Sequence, residues 1–173
     1  MRRFITFFLC ALLMFPAFAS LVAAQTRSFT NQNVDYTLEL PNATWRSVSR
    51  PDSSMHQHTE FVYGDRADGY LRVRKEMVDA SVTMAALAQR NQESKLRFLP
   101  GYVEGKQESF AGRWPAIVTS YEFTQAGKPT TGRIYYLQTD NRTIYALHFT
   151  GARDKLNRIR NQTDAIARSF QTK

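Results

Sequence analysis

The chain has 173 residues, 43% of them hydrophobic, and a net charge of +8 from 23 basic and 15 acidic side chains. Its one cysteine, Cys10, lies in an apolar N-terminal run. A disulfide framework, a cysteine nucleophile and a thiolate metal site are therefore excluded for the rest of the chain. The charges alternate in sign without a run of about five or six alike, which reads as a mildly basic solvated surface and argues against a nucleic-acid partner.

Residues 1–24 have the layout of a secretory signal peptide. Arg2 and Arg3 form the basic start, and Phe4 to Ala24 runs 21 residues without a charge. Pro16 falls near the end of the apolar core, and Val22 and Ala24 are small residues suited to cleavage before Gln25, with Ala17 and Ala19 as a second such pair. Because the run is long enough to cross a bilayer, an uncleaved anchor is the alternative. Arg2-Arg3-Phe4-Ile5 lacks the rest of a twin-arginine address, and Cys10 lacks a lipoprotein approach. Removing this segment leaves 21 basic against 15 acidic residues, a net charge of +6, and no cysteine. The expected mature protein is one domain over 25–173, large enough to bury about 70% of its unfolded surface.

Gln25 to Gln32 reads as a loose polar leader. Val34, Tyr36, Leu38 and Leu40 then alternate with polar residues up to Pro41, the pattern of a strand with one buried face. Trp45 to Arg50 is a second strand, and a polar loop, 52–57, follows it. Thr59 to Tyr63 and Tyr70 to Met77 read as a hairpin around the turn Gly64 to Gly69, with Leu71, Val73 and Met77 on one side and Arg72, Arg74 and Glu76 on the other. The period then changes: Thr83 to Leu99 is rich in helix formers, with Thr83 as N-cap, Pro100-Gly101 as stop, and Met84, Leu87, Ala88, Phe98 and Leu99 as its apolar stripe.

Four more strands are expected at Val103 to Phe110, Ala116 to Phe123, Arg133 to Thr139 and Thr143 to Thr150. Gly127-Lys128-Pro129 turns the second into the third, and Asp140-Asn141, tolerant of positive φ, joins the last two. Tyr145, Leu147 and Phe149 share one face. Asp154 to Phe170 reads as a closing helix with Leu156, Ile159, Thr163, Ile166 and Phe170 as its stripe. Strands joined by short turns predict a mainly antiparallel sheet of about six to eight strands covered by two principal helices, an α+β fold.

Several short motifs stand in a familiar order. They are Tyr36-Thr-Leu-Glu-Leu-Pro41 followed by Trp45, then Pro100-Gly101-Tyr102, Phe110-Ala-Gly112, Tyr121-Glu-Phe123, and a closing Arg168-Ser169-Phe170. Together they resemble the superfamily of PsbP, the extrinsic photosystem II subunit, and the Ran-binding Mog proteins, over roughly residues 29–170. The resemblance implies an α/β/α sandwich and a protein that acts by binding; it implies no photosystem role and no family metal site at any position here.

Each residue of a chemically competent type has a structural explanation beside it. His56 and His58 could share a strand face and hold a metal with Asp52 or Glu60, but a structural zinc site needs four ligands, so surface histidines are expected. Asp65 and Asp68 lack the spacing of a calcium loop and read as turn formers. Ser120 and Ser169 have no nucleophile elbow, and phosphate-cradling glycine loops are absent. Arg153, Lys155, Arg158 and Arg160 could touch an anionic membrane or an acidic partner, or be the solvated face of the last helix. Tyr121, Tyr135, Tyr136 and Tyr145 could line a small-ligand cleft, or serve as core and cross-strand pairs. Asn42, Asn141 and Asn161 head glycosylation sequons of a kind that chance supplies in a threonine-rich chain. No catalytic, cofactor or metal residue is assigned. The expectation is an exported, non-enzymatic envelope protein, periplasmic or extracellular, that binds another envelope protein, with a carrier of a small apolar or anionic ligand as the alternative and an enzyme a distant third.

Overall fold

The computed structural model describes residues 26–51 and 57–173. Among these, the strands are β1 (Arg27–Phe29), β2 (Tyr36–Leu40), β3 (Trp45–Pro51), β4 (Gln57–Tyr63), β5 (Tyr70–Met77), β6 (Val103–Phe110), β7 (Ala116–Gln125), β8 (Lys128–Asp140), β9 (Thr143–Ala152) and β10 (Gln171–Thr172). The helices are α1 (Met84–Ser94), α2 (Arg153–Arg158) and α3 (Arg160–Ser169). Seven strands pair antiparallel in the order β3-β4-β5-β9-β8-β7-β6, and a small second sheet has the order β1-β2-β10. The expected α+β sandwich on an antiparallel sheet is the fold found. No helix among the described residues is long and apolar enough to cross a membrane. The N-terminal segment expected to direct export lies outside the described residues.

The sheet separates two cores. On one face, β1, β2, α2 and α3 cover a layer that includes the fully buried Trp45, Phe61, Tyr135, Leu147 and Phe149. Phe170 closes it, stacking on Tyr36 with centroids 5.5 Å apart and lying 4.9 Å from the Tyr145 ring. Its carbonyl accepts from Trp114 Nε1 at 3.2 Å. A polar cluster pins α3 to the sheet: Arg133 donates to Asp164 at 3.0 Å and to the Tyr135 hydroxyl at 2.6 Å, and that hydroxyl donates to Asp164 at 2.5 Å. Trp45 Nε1 donates to Gln162 of the same helix at 2.9 Å.

On the other face α1 packs on β7 and β8, burying Leu87 and Ala88 against Tyr136 and Ile134. Thr83 caps it, its hydroxyl accepting from the Ala86 N–H at 3.1 Å. Gly101 ends the connection with φ +64° in the left-handed region, which suits glycine.

Five local expectations need correction. Arg27–Phe29 lies within the supposed leader yet pairs with β2, because an exposed backbone edge was available there. The α1 helix stops at Ser94 and continues as a 3-10 turn, Leu96–Phe98; three residues per turn break the helical stripe, and Phe98 is 75% exposed. Met77, at the end of β5, is 68% exposed and does not share the burial of Leu71. The closing helix divides at Ile159, whose ψ of 15° leaves the helical region, although Leu156, Ile159, Thr163, Ile166 and Phe170 are all buried as expected. The tight positive-φ turn falls at Ala126 (φ 49°) and Gly127 (φ 74°), not at Asp140-Asn141. Asp140 instead accepts from the Arg142 N–H at 2.8 Å, so its side chain closes the turn without left-handed backbone.

Truncating Phe170 to Ala should cost about 3–5 kcal/mol, because its ring is fully buried between Tyr36 and Tyr145. Urea unfolding followed by circular dichroism measures that loss; a change below about 1 kcal/mol would mean that α3 is not held by this core.

Candidate binding cleft

The face that carries α1 is unevenly covered. Among the described residues α1 is its sole helix, and beside it opens a cleft of about 290 Å³. Antiparallel register brings the lining together. Arg72 on β5 stands opposite His148 on β9, His148 opposite Ile134 on β8, and Thr150 opposite both Tyr70 and Gly132. Gly132 in turn pairs with Tyr121 on β7. A Cβ at Gly132 would sit 2.0 Å from Tyr121 Cζ, so only glycine lets that ring lie across β8. The Tyr121 hydroxyl thereby reaches His148 Nε2 on the next strand, at 2.6 Å, and Thr150 Oγ1 lies 3.2 Å from the same nitrogen. Phe123, Ile134, Tyr136 and Ala146 supply an apolar floor, Leu96 and Leu99 a wall, and the exposed Arg74 and Lys95 the mouth.

Electrostatics set the protonation of this group. Burial, then the charges of Arg74 and Arg72, depress the His148 pKa to about 4. Burial pushes the Tyr121 hydroxyl well above its ordinary range, so it stays protonated in its hydrogen bond with Nε2. At neutral pH the imidazole is uncharged and its Nε2 is hydrogen-bonded. Behind it, the fully buried Glu60 holds Arg66 at 3.0 Å and Arg72 at 2.6 Å, and Arg66 stacks over Tyr70 at 4.2 Å.

Of the four tyrosines expected either to line a cleft or to fill the core, Tyr121 and Tyr136 line it, whereas Tyr135 and Tyr145 belong to the opposite core. His56 and Asp52 lie outside the described residues. His58 pairs through its backbone with Arg50, and Glu60 is engaged by the two arginines. Among the described residues no three His, Cys, Asp or Glu side chains come together as a metal site would require. Asp65 shapes the β4–β5 turn, its carbonyl accepting from Asp68 and Gly69. Ser120 accepts from the Lys106 N–H beside a bulge in β6, and Ser169 accepts from the Glu39 N–H. On the far side Arg153 pairs with Glu122 at 3.2 Å, Arg160 with Glu108 at 3.7 Å and Arg158 with Asp154 at 3.9 Å, all on exposed side chains. His148 is the residue that sequence reading passed over; the alternation of Tyr145, Leu147 and Phe149 already put it on the opposite face.

Solved structures with this architecture are at hand. LpqN of Mycobacterium tuberculosis, involved in cell envelope biogenesis, is 18% identical with TM-score 0.57, over 86% of this chain and 91% of its own. The Ran-binding protein Mog1p of Saccharomyces cerevisiae is 10% identical with TM-score 0.58, over 86% and 96%. CyanoP, the PsbP of Synechocystis sp. PCC 6803, is 14% identical with TM-score 0.56, over 90% and 96%. The chain has the PsbP/Mog1 fold. At these identities the likeness is one of fold alone. No protein-family model matches the sequence, and no curated protein matches it.

The motifs that carried the resemblance have structural roles in this fold. Trp45 and Phe170 are fully buried, Gly101 takes the positive φ after the 3-10 turn, and Tyr121 roofs Gly132 at the cleft.

The His148 pKa has a consequence for stability. Unfolded, this histidine titrates near 6.5, so between about pH 6.5 and 4 the unfolded chain binds the extra proton and the folded one does not. Stability should therefore fall as pH drops through that window. His148→Gln should remove part of the slope, seen by denaturant titration at pH 7, 6 and 5; equal slopes in both proteins would refute the assignment.

Proposed function

We propose that this chain is an exported, non-enzymatic accessory domain of the cell envelope that works by binding, and that the face with the cleft is its binding surface. The observation that carries the reading is the partly covered sheet face on which aromatic side chains meet basic ones, beside a neutral, hydrogen-bonded His148. The signal-like segment 1–24 supports export to the periplasm or beyond. A fold in common with an envelope-biogenesis protein and with a Ran-binding protein supports a binding role by analogy.

The partner on this reading is another envelope protein. A photo-crosslinking residue at Arg74, on the cleft face, should capture one partner reproducibly in the native envelope, and the same residue at Arg158, on the opposite face, should not. Recovery of the same abundant bystanders from both positions would overturn the reading. The size and apolar floor of the cleft, with basic side chains at its mouth, favour a second occupant, a small apolar or anionic molecule that the domain carries.

A further inference from the structure

The geometry points to a single-chain amphipathic acid as the occupant of the cleft, its tail over Ile134, Phe123 and Ala146 and its carboxylate between Arg74 and the Tyr121–His148 pair. The inference rests on the reading that this face is the binding surface.

Three observations converge on it. The first is shape. Ligand pockets run from about 300 to 1,000 Å³, and this cleft of about 290 Å³ adjoins a second hollow of about 430 Å³, the two sharing Tyr70, Gln125 and Thr150 in their linings. A linear chain can therefore extend along the face, where a compact ligand would leave the second hollow empty.

The second is the division of the lining. Phe123, Ile134 and Ala146 form the bottom of the cleft and Leu96 and Leu99 its side, and a hydrocarbon chain gains about 25 cal/mol for each Å² of the still open apolar surface that it removes from water. Polar groups gather toward β5, where Tyr70, Arg74, His148 and Thr150 meet. Such a lining matches a molecule with one apolar end and one polar end.

The third is the sign of the charge. Arg74, Lys95 and Lys128 line the two hollows together with Arg66, which the buried Glu60 holds, against Asp68 and Glu76. The depressed His148 pKa reports the same field, because part of it comes from Arg74 and Arg72. A cation is disfavoured at this position and an anion favoured. Arg74 is exposed and carries no ion pair among the described residues, so it is free to turn toward the head group.

Titration of the purified protein with decanoate, 1-decanol, decyltrimethylammonium and acetate, each below its micelle concentration, tests this by calorimetry and by amide shifts at Ile134, Ala146 and His148. Decanoate should bind saturably, 1-decanol about tenfold more weakly, and the cation and acetate not at all. Arg74→Gln should weaken decanoate about tenfold and leave 1-decanol unchanged, and Ala146→Phe should block both by filling the floor; Lys95→Gln is the substitute if Arg74→Gln does not fold. Equal binding of decanoate and 1-decanol, or insensitivity to Arg74→Gln, would overturn the acidic head group while leaving the face as an apolar site. No amphiphile binding, with reproducible crosslinks at Arg74, would overturn the small-ligand inference and keep protein docking. Neither binding nor crosslinks would overturn both.

Discussion

Alternation along β9 is the constraint on which the rest of the molecule depends. This strand pairs with β5 on one side and β8 on the other, so every residue it carries must go to one face of the seven-stranded sheet or to the other. Tyr145, Leu147 and Phe149 enter the core beneath α3, and Ala146, His148 and Thr150 enter the cleft. A shift of one residue would exchange the two sets, placing an imidazole beneath α3 and a phenylalanine at the cleft floor. The register is thus fixed by burial on one face, and the chemistry of the opposite face follows from it.

The two faces differ in how completely they are sealed. On the first, a second small sheet and two helices close over the aromatic layer, and buried polar groups such as Tyr135 and Thr163 find partners there. The second has one eleven-residue helix for seven strands. Its remaining area is filled by long side chains: the Arg66, Arg72 and Glu60 cluster at one end and the Tyr121 ring lying over Gly132 at the other. Buried ion pairs contribute little net stability, since desolvation offsets their attraction. Here strand register holds Arg72 opposite His148, where it adds, after burial and Arg74, to what keeps the imidazole neutral.

Much of the fold could be read from the chain because its signals are local. The period-two run Tyr36 to Leu40, the cap at Thr83 and the turn at Gly127 each depend on neighbours a few residues away. Elements that depend on distant partners were less legible. The three-residue strand β1 exists only because β2 offers it an edge, and the division of the last helix at Ile159 follows no nearby glycine or proline. The candidate site was half legible. Tyr121 and Tyr136 could be named as cleft-lining tyrosines, but nothing in the chain separated them from Tyr135 and Tyr145, since all four sit in similar strand patterns. Glu60, weighed in the sequence as a partner of His56 and His58 at a metal, is instead met by Arg66 and Arg72 once the hairpin forms.

By itself the sequence determined the antiparallel α+β architecture, the amphipathic stripe of the last helix and the export-like N-terminal layout. Hydrophobic period and turn chemistry act within a few residues and survive in any reading of the chain. Tertiary structure alone decided which side chains meet across strands that are far apart in sequence. Tyr121 and His148 stand 27 residues apart and Arg72 and His148 stand 76 apart, joined by a strand order in which β5 pairs with β9 after a long excursion. Only that order left one part of the sheet uncovered, with an apolar floor, a neutral imidazole and an excess of basic side chains in the same place.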